Sequence, residues 1–333
     1  MKSYKLYYTT IFSGICMLII ILDGKTALQG ASDGVALCVQ TVIPSLFPFI
    51  FLSMFLCNGL SGLRMPILRP IERFCRIPYG SSPLLLTGLL GGYPVGAKCI
   101  TDAVTNGQLT QQDARRMLGF CNNAGPAFIF GIGSSIFNNP LIPWVVWIIQ
   151  IISTLLTAHL LSGASYCTST PSRNDSVSLR NALQQSISTI TSICGWVLLF
   201  RVIITFLERW ISFFMPKEVF LILCGVLELS NGCLSLPQIS SIPLQTLLYC
   251  IFINLGGLCV ALQTVSVTGN LGTGLYFPGK LLQCLISSFG IIVYMQMSTQ
   301  KLLTKTIYVA IIPLLLLFTV FHLYYKKKRY SNL

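Results

Sequence analysis

Apolar runs about as long as a bilayer is thick recur along this chain and carry almost no charge. They cover residues 6–22, 45–63, 144–161, 187–206, 243–262, 281–294 and 307–325. A helix of about twenty apolar residues crosses the hydrocarbon core, and in lipid only helices and closed barrels satisfy their own backbone. Hydrophobic residues make up 53% of the 333 and charged residues 9%. A soluble domain carries about 25% charged residues. Mean hydropathy is +0.74. A soluble enzyme and a disordered chain are both excluded. The sequence predicts an all-α polytopic membrane protein with about seven to nine transmembrane segments.

The net charge of +13 sits beside the apolar runs rather than on them. Lys2 and Lys5 precede the first run, Arg64, Arg69, Arg73 and Arg76 share one loop, and Lys326, Lys327, Lys328 and Arg329 form a tail. This is the positive-inside pattern, which places both termini in the cytoplasm of a bacterial membrane and makes the lipid bilayer, not nucleic acid, the partner of the charge. Arg115 and Arg116 fit the same cytoplasmic role. Arg201, near the end of a run, is placed to snorkel to the interface. Leu68, Ile71 and Phe74 fall three apart between arginines, so 65–79 reads as an interfacial amphipathic helix. The 13 cysteines contain no C-x-x-C pair, and His159 and His322 stand alone, which argues against metal or redox chemistry. No nucleophile elbow, zinc-helix or Walker motif is present, so no enzyme and no cofactor is expected.

Residues 80–137 break the spanning pattern. A ten-residue apolar run reaches Gly91-Gly92-Tyr93-Pro94-Val95-Gly96-Ala97-Lys98, where glycines and a proline open the helix. Thr110 is placed to cap a helix from Gln111, with Asp113 at its third position. That helix stops at Asn122-Asn123-Ala124-Gly125-Pro126, and a second short run follows. The later half repeats the theme. The run 219–229 ends at Glu228-Leu229-Ser230-Asn231-Gly232, and 243–262 opens into a polar, glycine-bearing stretch from Gln263. Gly88 and Gly119 are 31 apart, as are Gly225 and Gly256, and the pairs are related by an offset of 137. Broken helices and re-entrant hairpins in two inverted repeats are the expected arrangement, with the solute site where the breaks meet. The boundaries are N-terminal transmembrane helices at 1–64, the interfacial helix at 65–79, a first repeat at 80–162, a polar linker at 163–180, a second repeat at 181–295, and a final transmembrane helix with its basic tail at 296–333.

The candidate substrate-binding residues lie at these breaks. Tyr93 and Gly96 form the first break, whose free N–H groups favour an anion, and Lys98 adds charge or anchors the interface. Asn122, Asn123 and Gln263 offer both donors and acceptors, or cap broken ends. Gly125 opens the second break. Glu228 in an apolar neighbourhood either binds a solute or coupling ion or is simply wet. Ser230, Asn231, Ser266 and Thr268 supply hydroxyl and amide groups.

The segments Thr87–Lys98 and Phe120–Phe128, with Ile43–Phe49 and Glu228–Gly232, resemble the nucleoside-recognition or gate-domain group of bacterial membrane proteins. Within that group they resemble the stage V sporulation integral membrane proteins. The likeness covers nearly the whole chain and makes the two repeats gate-type repeats. It implies a protein of endospore formers that moves dipicolinic acid across the outer forespore membrane into the developing forespore. The wider group is similar to concentrative nucleoside transporters, with two re-entrant hairpins and two broken helices around a central site. On that pattern 91–98, 122–126, 228–232 and 263–268 are the four breaks. The function expected is secondary transport of a small polar or anionic solute, with Na+ or H+ as coupling ion. The alternatives are a nucleoside-like solute, or a non-transporting gate or scaffold subunit. A homo-oligomer or other sporulation membrane proteins are the expected protein partners.

Overall fold

The structure, a computed structural model, describes residues 2–60, 66–161 and 179–299. Among the described residues every regular element is helical. The chain opens with α1 (Lys2–Leu22), α2 (Gly24–Leu37) and α3 (Ile43–Leu60), then α4 (Arg69–Cys75). Next come α5 (Ser82–Leu90), α6 (Val95–Thr105), α7 (Gln111–Met117), α8 (Pro126–Ile136) and α9 (Leu141–Leu160). The second half holds α10 (Leu179–Ile211), α11 (Lys217–Leu227), α12 (Leu229–Ser235), α13 (Ile242–Leu255), α14 (Gly257–Thr268) and α15 (Tyr276–Thr299). Five segments are long and apolar enough to cross a membrane: Gly24–Phe55, Leu141–Leu160, Leu179–Phe214, Ile242–Leu271 and Tyr276–Met297. The chain is an all-α polytopic membrane protein. Most of the expected linker and the final apolar run at 307–325 lie outside the described residues.

Local chemistry sets the helix ends. Asp23 caps α2 by accepting from Thr26 N at 3.4 Å. A π-helical turn at Cys38–Val42 joins α2 to α3, so Gly24–Phe55 is one nearly continuous helical run. The turn sits just ahead of Pro44, which lacks the N–H that an α-helical ladder would use there. Thr110 caps α7 as the sequence predicts, accepting from Asp113 N at 3.1 Å.

Helices α2 and α10 pack closely. Gly30 and Gly34, one turn apart, lie against the α10 backbone: a Cβ on Gly30 would stand 2.9 Å from Val202 Cα, and one on Gly34 3.1 Å from Leu198 Cα. Small residues at this spacing let helix backbones approach in a membrane. Arg201 is then held between Asp33 Oδ2 at 2.9 Å and Asn231 Oδ1 at 3.2 Å. Its guanidinium is thereby paired with an amide and with a carboxylate that is itself partly exposed. Arg209 pairs with Asp23 at 2.9 Å.

The interfacial segment is shorter than expected. A 3-10 turn at Pro66–Leu68 leads into α4, and Glu72 is buried rather than wet. Its Oε1 accepts from Gly80 N and Ser82 N, both at 3.0 Å, which fixes the entry into α5.

Short helices meet at glycine contacts. A Cβ on Gly88 of α5 or on Gly96 of α6 would overlap the Cys121 carbonyl oxygen. A Cβ on Gly225 of α11 would overlap the Phe252 ring, and one on Gly232 of α12 would overlap Gly225. The fourth interruption does not fall at 263–268, which is helical. It falls at Gly256 and Gly257, with φ of +79° and +73°. Two residues without Cβ adopt that conformation freely, whereas Gln263–Thr268 has no such need.

Gly88→Ala therefore blocks folding: detergent-extracted protein should lose its monodisperse peak in size exclusion. Gly195→Ala, on α10 with nothing within 4 Å of its Cβ, should keep that peak and melt no lower. Alanine gains up to about 1 kcal/mol over glycine inside a helix.

Candidate functional site

Three of the interruptions meet at one cavity. It has about 410 Å³ of empty space including its mouth, of which about 40 Å³ admits the centres of water molecules. Tyr93 contributes from the α5–α6 connection, Ala124, Gly125 and Phe128 from the start of α8, and Glu228, Leu229 and Ser230 from the α11–α12 connection. Val260 and Gln263 line it from α14. The remaining wall is apolar: Val42 and Leu46 from the first helical run, Ile193 and Val197 from α10. Tyr93, Gly125, Glu228, Ser230 and Gln263 are thus brought together from the sequence-predicted set.

Glu228 is 2% exposed and caps α12. Its Oε1 accepts from Ser230 N at 3.0 Å, and its Oε2 accepts from Asn231 N and Asn231 Nδ2, both at 2.7 Å. Three N–H donors on two oxygens suit a carboxylate. Asn231 passes the contact on, since its Oδ1 accepts from Arg201. A continuous polar chain therefore runs from Asp33 on α2 through Arg201 and Asn231 to the cavity wall. The start of α8 has no side-chain cap; Pro126 brings no N–H, and Phe128 N and Ile129 N both donate to Gly125 O at 3.1 Å, which leaves the Ala127 N–H at that end.

The other candidates sit behind the wall. Asn122 holds two segments together: its Oδ1 accepts from Ala97 N at 3.4 Å and its Nδ2 donates to Thr264 Oγ1 at 2.8 Å. Asn123 Nδ2 donates to the Phe120 carbonyl at 2.8 Å. Gly96 is the close-contact position under Cys121. Lys98 is half-buried on α6 and does not line the cavity. Ser266 is exposed on α14 and bonds the Gln263 carbonyl at 2.7 Å. Thr268 is buried and bonds Val265 O at 3.3 Å.

Sequence reasoning missed a fully buried polar cluster beside Tyr93. Lys280 Nζ donates to Asn123 Oδ1 at 3.0 Å and to Gln283 Oε1 at 2.9 Å. Gln283 Nε2 donates to Asn123 Oδ1 and to Thr154 Oγ1, each at 2.8 Å. Gln150 Nε2 donates to the Ala124 carbonyl at 2.8 Å. The signal was present: Gln150, Ser153, Thr154 and Thr157 on α9, and Lys280, Gln283 and Ser287 on α15, are polar at three- and four-residue spacing within apolar runs. Such stripes in spanning helices face the bundle interior.

Among the described residues no group of three or more His, Cys, Asp or Glu side chains could hold a metal. His159 Nδ1 is 2.8 Å from the Phe74 carbonyl, and its ring stacks on Phe74 at 4.7 Å.

Over 117 residues the chain is 30% identical to the sporulation integral membrane protein YlbJ of Bacillus subtilis (strain 168). The match covers 34% of this chain and 28% of that protein, so the shared stretch is under a third of the relative's length. The chain is a distant relative of a sporulation membrane protein. No family model matches it. No solved structure matches it.

Glu228→Ala removes the cap of α12 and should lower stability by about 1–2 kcal/mol in thermal denaturation of the purified protein. Ser266→Ala, on an exposed hydroxyl, should stay within about 0.5 kcal/mol of the parent.

Proposed function

We propose that this chain is a secondary transporter that moves a small polar or anionic solute through the cavity. The solute we favour is dipicolinate, carried into the developing forespore. The observation that carries this reading is the convergence of Tyr93, Gly125, Glu228–Ser230 and Gln263 on one cavity from four separate segments. Interrupted helices meeting at a common chamber are how secondary transporters build a solute site. Distant relationship to a sporulation integral membrane protein supports a sporulation setting. The location we propose is the outer forespore membrane, with both chain termini cytoplasmic.

In this reading α5–α6 and α11–α12 are the two re-entrant hairpins. The helices α7–α8 and α13–α14 are the two broken spans, and α9 and α15 close each half. The offset of 137 residues pairs these elements in order, as an inverted repeat of 80–162 and 181–295 requires. Tyr93, Gly125, Ser230 and Gln263 contact the solute. Glu228 holds the third break open with its own carboxylate and faces the solute with what remains. Gly96, Asn122, Asn123 and Asn231 shape the breaks. A planar carboxylate finds the amide of Gln263 in the wall and the Ala127 N–H at the start of α8. Space of about 40 Å³ for water centres holds a few waters, since one needs about 10–15 Å³. A solute the size of dipicolinate enters once a hairpin rocks away from α8 and α14, which is the motion alternating access uses. No enzymatic role is proposed.

The small cavity favours one competing reading, a gate or scaffold subunit of a sporulation membrane complex that moves nothing itself. Liposomes holding the purified chain alone separate the two. We expect uptake of labelled dipicolinate above that of empty liposomes, with unlabelled uridine a poor competitor. Strong competition by uridine would make the solute nucleoside-like, and absence of any uptake would favour the scaffold. In sporulating cells, Glu228→Gln and Asn123→Ala should each cut spore dipicolinate several-fold at unchanged protein level. Normal dipicolinate in both would remove these residues from the site.

A further inference from the structure

The Lys280 side chain is 2% exposed in the middle of the described bundle. No carboxylate pairs with it: the ion pairs among the described residues join Arg116 to Asp113, Arg201 to Asp33 and Arg209 to Asp23. Burying an ammonium without an anion is costly, so its surroundings must compensate. They do so with neutral groups. Asn123 Oδ1 and Gln283 Oε1 accept from Nζ at 3.0 and 2.9 Å, and the Tyr93 ring centre lies 5.1 Å away. An aromatic face within about 6 Å attracts a cation.

These ligands belong to different parts of the chain. Tyr93 lies in the α5–α6 connection, Asn123 in the break between α7 and α8, and Gln283 on α15 with Lys280 itself. Interrupted membrane helices commonly gather neutral oxygens around an inorganic cation. Here the same kind of ligand set surrounds the side-chain nitrogen of a lysine carried by the chain.

We propose that Lys280 is the built-in cation of this junction, holding the Asn123 break against the Tyr93 connection so that no inorganic cation is needed there. Lys280 is a positioning residue acting through Asn123 and Tyr93. Its charge fixes two of the segments that wall the cavity. The inference rests on the transporter reading only for what the wall serves, since the junction itself is tested without transport.

The test is thermal melting of the purified full chain in detergent, in sodium chloride and in N-methyl-D-glucamine chloride at equal ionic strength. The parent should melt at the same temperature in both. Lys280→Ala opens the space next to Asn123 and Gln283, and should melt several degrees lower in N-methyl-D-glucamine, with sodium or methylammonium restoring part of the loss. Lys280→Met fills the space without charge, and should melt lower with no response to either cation. A parent that needs sodium overturns the proposal. So does a Lys280→Ala protein as stable as the parent, or one that small cations do not restore. Should the variants fail to fold, the parent's cation dependence still decides. Liposome uptake is read separately: cation-independent melting with no uptake would sink the transporter reading and leave the role of Lys280 standing.

Discussion

Backbone groups freed at a helix interruption have no water to turn to inside a membrane, and leaving one unmet costs several kcal/mol. This protein sets buried side chains against carbonyls at and around the breaks. Tyr93 Oη donates to Ile253 O at 3.2 Å, and Gln150 Nε2 to Ala124 O at 2.8 Å. Tyr249 Oη donates to Ile129 O at 2.5 Å, and Asn123 closes on Phe120. The Tyr93 and Tyr249 bonds tie the two halves of the chain together, the Gln150 bond ties α9 to the start of α8, and the Asn123 bond closes its own turn. The cavity lies where these segments meet.

Close approach is the second condition. Gly88 and Gly96 admit the Cys121 carbonyl, and Gly225 and Gly232 admit each other beneath Phe252. A single methyl group at these points would push the segments apart and leave the bonds above too long to form. On the other side of the cavity, α2 and α10 meet through Gly30 and Gly34, and the Asp33–Arg201–Asn231 chain extends that contact to the cap of α12. Thus Glu228 takes its place through the packing of two helices far away in sequence.

What could be read from the sequence follows from which signals are local. Glycine and proline act through their own backbone, so the openings at 91–96 and 122–126, and the Thr110 cap, were legible. Glu228 stood out because an acid in an apolar run is rare. The fourth opening was misplaced by several residues because Gln263–Thr268 looks polar, whereas conformation is set by Gly256-Gly257 within an apolar stretch. Lys280 was passed over because it lies at the edge of an apolar run and reads as an anchor. Only tertiary packing places Asn123 and Gln283 around it. The pairing of Arg201 was not legible for the same reason, since its partners are 168 and 30 residues distant.

The charges at the site bear on what can pass. Glu228 and Lys280 are an acid and a base, both buried, and Arg201 pairs with Asp33. Lys280 is already committed to Asn123, Gln283 and Tyr93. In the transport reading proposed above, a dianion entering this space would meet the Gln263 amide, and a cation or proton travelling with it would sit beside the Glu228 carboxyl on the wall. In that reading the Asn123 break, tied to Lys280, is the side against which the α11–α12 connection moves.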